Sequence, residues 1–190
     1  MYDVWCIIEF LIIMIEIITA PEHKYLYPSA VKVFLAGGIQ KCPEWQKMII
    51  SNISENYDLN AKSYLHRDAV IINPRRADWL NRPGEAQRQI EWEFDMIEKC
   101  DIFTMYFSGG ESDQPICMYE LGRNLERMKQ RFPHDWWERI IITCDGHYKR
   151  VNDVVIQTAL ATDKKVEVVV DWDDPIRRHS NRIEEALKIY

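Results

Sequence analysis

Five short runs of β-branched and other apolar residues alternate with longer stretches whose apolar positions recur at helical spacing, and this alternation leaves few folds open. The runs are VKVFLA (residues 31–36), AVIIN (69–73), DIFTMYF (101–107), RIIITC (139–144) and VEVVV (166–170). Strands so short and so continuously apolar are those covered on both faces. Between them, helices are expected over residues 43–56, 84–99, 115–130, 151–162 and 180–189, with Pro43 and Pro115 standing where a missing N–H costs nothing. In the helix over 84–99, Ile90, Phe94 and Ile97 share a face expected to pack on the sheet, and Gln89, Trp92, Glu93 and Met96 form an adjacent one. Parallel βαβ units with right-handed crossovers follow. The expected fold class is therefore α/β: a doubly wound, flavodoxin- or Rossmann-like, five-stranded and mainly parallel sheet with helices on both faces, plus an extra N-terminal strand.

That extra strand comes from VWCIIEFLIIMIEIITA (residues 4–20), a run apolar enough to suggest a membrane segment. Glu9 and Glu16 interrupt it and Asp3 stands where a signal peptide carries basic residues. A central carboxylate costs about 2.5 kcal/mol or more in a bilayer, so a buried strand over about 12–19 is the better reading. The 190 residues fit one domain, with residues 1–30 as an N-terminal extension. A net charge of −6, with only short basic runs such as Arg75-Arg76 and Arg177-Arg178, argues against a groove for a nucleic-acid polymer. Five cysteines, odd in number and without a CxxC pair, indicate neither a disulfide framework nor a zinc knuckle, and a reducing cytoplasm is the simplest compartment. The five histidines are scattered without ligand spacing, so no metal and no cofactor is expected.

In such sheets ligands bind beyond the carboxyl ends of the strands. After the first of the five strands come Gly37, Gly38, Ile39 and Gln40. This is either a turn that lets backbone N–H groups approach a ligand or a plain strand-to-helix connection. After the second come Asn73, Pro74, Arg75 and Arg76, with Trp79 further on. They make either a loop whose arginines clamp an anion while Trp79 covers a planar base, or a solvated basic loop. After the third, an acidic loop containing Asp113 leads into the helix that carries Glu120 in its second turn. Gly122 costs roughly 1 kcal/mol in a helix interior unless close packing requires it, and so points to a crowded setting for Glu120. Asp101 opens the third strand, where it either donates a proton to a leaving group or caps the preceding turn.

The ordered set VFLAGGI, INPRR, QIEWE, CDIFTMYF and PICMYELG, followed by GHYKRVNDVVIQTAL, resembles the nucleoside 2-deoxyribosyltransferase-like family over about residues 31–157. The resemblance implies a retaining double displacement on a small deoxynucleoside or deoxynucleotide, with a free nucleobase as the second partner. Glu120 would attack the anomeric carbon, and Asp101 would assist departure of the base. Gly37, Gly38, Ile39, Asn73, Arg75, Arg76, Trp92, Glu93 and Asp113 are the candidate substrate-binding residues. Two departures stand out. Phe34 replaces a family tyrosine that orients the nucleophile, which leaves Tyr119 or Tyr106 to do so, and Gln40 replaces a basic phosphate-binding residue. The resemblance also implies a homo-oligomer, a dimer or larger.

Overall fold

A computed structural model of the chain describes residues 15–60, 68–78 and 82–190. Among these, six strands and five helices follow in the order β1 (Ile15–Thr19), β2 (Val31–Gly37), α1 (Trp45–Asn60), β3 (Ala69–Asn73), α2 (Glu85–Lys99), β4 (Ile102–Phe107), α3 (Pro115–Arg131), β5 (Ile140–Asp145), α4 (Val151–Ala161), β6 (Val168–Asp171) and α5 (Pro175–Ile189). One sheet takes them all in the order β1-β3-β2-β4-β5-β6, and every pair is parallel. Without β1 this is the flavodoxin order, and β1 adds a strand outside β3 with Ile15 beside Ala69 and Thr19 beside Asn73. The described part of the N-terminal apolar run is thus a strand. The expected residues 12–14 lie outside the described residues, and no described helix is long and apolar enough to cross a membrane.

The period of two along each strand divides the core. Val33, Leu35, Ile71 and Ile141 turn to one face, under Trp45, Ile49 and Ile53 of α1 and Ile183 and Leu187 of α5. Phe34, Ala36, Ile72 and Met105 turn to the other, under Trp92 and Met96 of α2, Leu121, Leu125 and Met128 of α3 and Val154 of α4. Each large apolar side chain removed from water contributes about 1.5–3 kcal/mol, and a one-residue slip in register would swap the two sets between cores shaped for different side chains. Trp136 and Trp137 meet edge to face at 6.1 Å just ahead of β5, with Trp136 buried.

Four expectations change. The face of α2 that meets the sheet carries Gln89, Trp92, Met96 and Ile97, whereas Ile90 and Phe94 are 64% and 52% exposed. Trp92 sets this rotation: its ring is buried and its indole N–H donates to the Glu22 carbonyl at 2.8 Å, in the segment between β1 and β2. α1 begins at Trp45, two residues after Pro43, because the Trp45 indole N–H donates to the Gly38 carbonyl at 2.8 Å and fixes the helix start there. α5 begins at Pro175 and not at 180, since the Asp174 carboxylate accepts the Arg177 N–H at 3.2 Å and caps it. The last strand is Val168–Asp171, and Val166 is buried ahead of the ladder.

Candidate active site

The chain reverses its direction of winding between β2 and β4, the neighbours at the centre of the sheet, and the crevice expected at such a switch point is present. A cleft of about 160 Å³ opens there at the carboxyl end of β2. Phe34, Ala36 and Gly37 form its floor, Ile39 and Pro74 its loop wall, and Glu93, Ile116, Cys117 and Glu120 its helical wall.

The glycine turn is built to be rigid. Gly37 has φ +152°, and a Cβ there would lie 2.3 Å from the Tyr106 carbonyl and 2.6 Å from the Trp45 ring. A Cβ on Gly38 would meet Gln114 Oε1 at 2.4 Å, so the turn and the loop after β4 touch through glycine alone. Gln114 fastens that loop on itself by donating to the Ser108 carbonyl at 2.7 Å. Arg75 fastens the other side. Its guanidinium donates to the carbonyls of Ile39 at 3.1 Å and Cys42 at 2.9 Å, to Gln46 Oε1 at 3.0 Å, and to the Pro43 carbonyl. Asn73 Oδ1 accepts the Arg75 N–H at 3.0 Å, which sets the direction of the loop.

Two carboxylates face this cleft from different helices. Glu120 lies on α3 with Ile116 and Cys117 one turn before it, and Glu93 lies on α2. Gln89 Nε2 donates both to Glu93 Oε1 and to the Pro74 carbonyl, each at 2.7 Å, and so ties Glu93 to the loop after β3. Burial pushes the Glu120 carboxyl up to about 7; the Glu93 charge adds to the rise and Arg123 opposes it. Burial also raises Glu93, against the Gln89 hydrogen bond. A carboxyl held near neutrality beside a second one is the arrangement in which one group carries a proton while the other attacks.

Several expected residues do not join them. Asp101 stands at the amino end of β4, at the opposite edge of the sheet, where its carboxylate accepts the Lys32 backbone N–H at 3.0 Å and pairs with Lys32 Nζ at 2.9 Å and Arg131 at 3.7 Å. Six residues of strand separate the two ends by about 20 Å, so Asp101 is held in ion pairs at one end and does not reach the cleft that Glu120 lines at the other. Trp92 is absorbed in the core, as described above. Arg76 pairs with Glu85 at 2.8 Å and Asp78 at 3.4 Å, which joins its loop to the start of α2. Arg75 and Arg76 are thus anchors of the loops and not an anion clamp. Asp113 is exposed and paired with Lys149 at 2.7 Å; that contact holds its carboxyl below the usual range and links its loop to the one after β5. Trp79 lies outside the described residues.

Neither tyrosine takes the place of the one that Phe34 replaces. Tyr119 is 69% exposed, and Tyr106 is buried on the opposite face of the sheet against Trp45 and His179. Gly122 is likewise not a packing device, since a Cβ there would meet nothing within 4 Å. The wall residues Ile116 and Cys117 were not among the expected site residues. Their signal was the helical spacing of four and three residues ahead of Glu120. Among the described residues no group of three or more His, Cys, Asp or Glu side chains is placed to hold a metal.

The model of the family described as nucleoside 2-deoxyribosyltransferase like matches residues 30–132, which is 103 of the 190 residues and runs from the start of β2 through α3. Both cleft carboxylates fall inside the match, whereas the segment GHYKRVNDVVIQTAL lies beyond it. No curated protein matches the chain.

Proposed function

The chain belongs to the nucleoside 2-deoxyribosyltransferase-like family, and from that membership we propose that it transfers the deoxyribosyl group of a deoxynucleoside from one nucleobase to another. The observation that carries this reading is the carboxylate pair, Glu120 and Glu93, in one cleft at the switch point. A Glu120 carboxylate oxygen attacks the anomeric carbon, the C1′–N bond breaks, and its electron pair leaves with the base. The coupled pair shares one proton, and in its reactive form Glu93 carries that proton and delivers it to the departing nitrogen, the role that Asp101 is too distant to fill. The resulting glycosyl ester is opened by the nitrogen of a second base, which returns its proton to Glu93 and regenerates Glu120 with the original configuration at C1′.

The loops favour a nucleoside over a 5′-monophosphate. No cationic side chain lines the cleft among the described residues, and Arg75 already donates to four acceptors within its own fold. A phosphate dianion beside Glu93 and Glu120 would meet two acidic groups. We also assign a homodimeric state. Ile90, Phe94, Ile116 and Tyr119 are 64%, 52%, 66% and 69% exposed on α2 and α3 next to the cleft, an apolar surface that a second subunit would cover. The unpaired thiols of Cys42, Cys100, Cys117 and Cys144 suit a reducing cytoplasm.

Incubation of the purified chain with a deoxynucleoside, with and without a second free base, tests the reading by chromatography. The expected product is the exchanged nucleoside with little net release of base. Base release without exchange would make the enzyme a hydrolase, and neither outcome across deoxynucleosides and their monophosphates would end the enzymatic reading.

A further inference from the structure

Arg123 stands three residues beyond Glu120 on α3, a spacing that brings side chains within about 5–6 Å at Cβ. Its guanidinium carbon lies 4.3 Å from the centroid of the Phe94 ring on α2, a cation–π contact that holds the charge between the two helices. One guanidinium nitrogen, Nη2, is buried and has no hydrogen-bond partner. A buried cationic donor left unpaired calls for an explanation other than fold stability. Arg123 acts on Glu120 through space as a charge and not through a hydrogen bond.

The groups around Glu120 are few. From α2 comes the Glu93 carboxylate; from its own helix come Arg123 and the Cys117 thiol, which burial pushes up to about 12 and so keeps neutral. The sheet presents only Phe34, Ala36 and Gly37, and the loop after β3 only Pro74. Arg123 is therefore the one cation set against Glu93 among the described residues that face Glu120.

We propose that Arg123 is a positioning residue for the nucleophile: held off by the Phe94 ring, its charge favours the ionised form of Glu120 opposite Glu93 without closing a salt bridge over the attacking oxygen. The inference rests on Glu120 being the nucleophile. A bidentate bridge would occupy the oxygens that must reach the sugar, whereas no cation at all would leave Glu120 more fully protonated and slower at neutral pH.

The test is the titration of the Glu120 carboxyl in the full chain, followed by carbon NMR with carboxyl-labelled glutamate and assigned through Glu120→Gln. Arg123→Gln is expected to raise the Glu120 midpoint by about one pH unit and to lower transfer at pH 6 about tenfold, with the high-pH plateau retained. Arg123→Lys is expected to restore the wild-type midpoint. If Arg123→Gln does not fold, Arg123→Met keeps the apolar stem over Phe94 and serves instead. An unmoved midpoint in the folded variant overturns the inference, as does activity lost equally at every pH. The NMR midpoint needs no substrate, so a shifted midpoint without any transfer would sink the proposed function alone.

Discussion

Glu120 of α3 and Glu93 of α2 meet across one cleft at the carboxyl edge of the sheet, where burial first and their mutual repulsion second push the Glu120 carboxyl up to about 7. The pair forms because α2 and α3 cover the same face of the sheet, with Trp92 and Leu121 in a common core.

Stability should depend on pH through Glu120. Its folded-state value lies above the ordinary 4.5, so folding favours the protonated form; that contribution is complete below about 4.5 and is lost as pH rises through about 7. Glu120→Gln should therefore be more stable than the wild type at pH 8, by about 3 kcal/mol, and no more stable at pH 4. Urea unfolding at the two pH values measures this, and an equal gain at both would refute the burial of a charge. The same variant should transfer no deoxyribosyl group above background.

Glu93→Gln separates the two carboxyls. Without the Glu93 charge, Glu120 should titrate lower, and the acid limb of the pH–rate profile should move down in pH. The plateau should fall by about 10²-fold or more, since the departing base loses its proton donor. A profile measured from pH 5 to 9 with an unmoved acid limb would contradict the coupling.

Asp101→Ala should behave in the opposite way. The Lys32 backbone N–H and ammonium lose their acceptor at the amino edge of the sheet, at a cost of about 1–3 kcal/mol. Transfer per folded molecule should stay within about twofold of the wild type. A large fall in turnover with unchanged thermal stability would return Asp101 to the site.

Gly122→Ala should stabilise the monomer by about 0.5–1 kcal/mol, because the added Cβ meets nothing within 4 Å and helix propensity improves. Thermal unfolding of dilute protein reads the effect. Loss of stability, or a raised dimer dissociation constant, would show that a second subunit packs against this glycine.

Much of the fold was legible because it is written locally. AVIIN at 69–73 is a strand at those bounds, and PICMYELG opens a helix at Pro115 as its proline and spacing indicate. The site was legible in part. Glu120, Gly37 and Ile39 line the cleft, and Glu93 lines it too, although the family resemblance pointed to Asp101 as the proton donor. The rotation of α2 was not legible, because Ile90 and Phe94 satisfy a helical stripe as well as Trp92 and Met96 do. Only the Glu22 carbonyl, 70 residues from Trp92, selects between the two faces.

The sequence by itself determined a parallel doubly wound sheet, the end of it where the cleft opens, and a glutamate on the helix after the central strand. Burial periods and turn formers are short-range signals, and they suffice for that. Only the tertiary structure decided that Arg75 and Arg76 brace loops, that Asp101 sits at the wrong edge, and that Glu93 is the partner of Glu120. Those outcomes depend on which distant carbonyls and carboxylates a side chain meets once helices cross the sheet, and on a strand about 20 Å long that separates its first residue from its last.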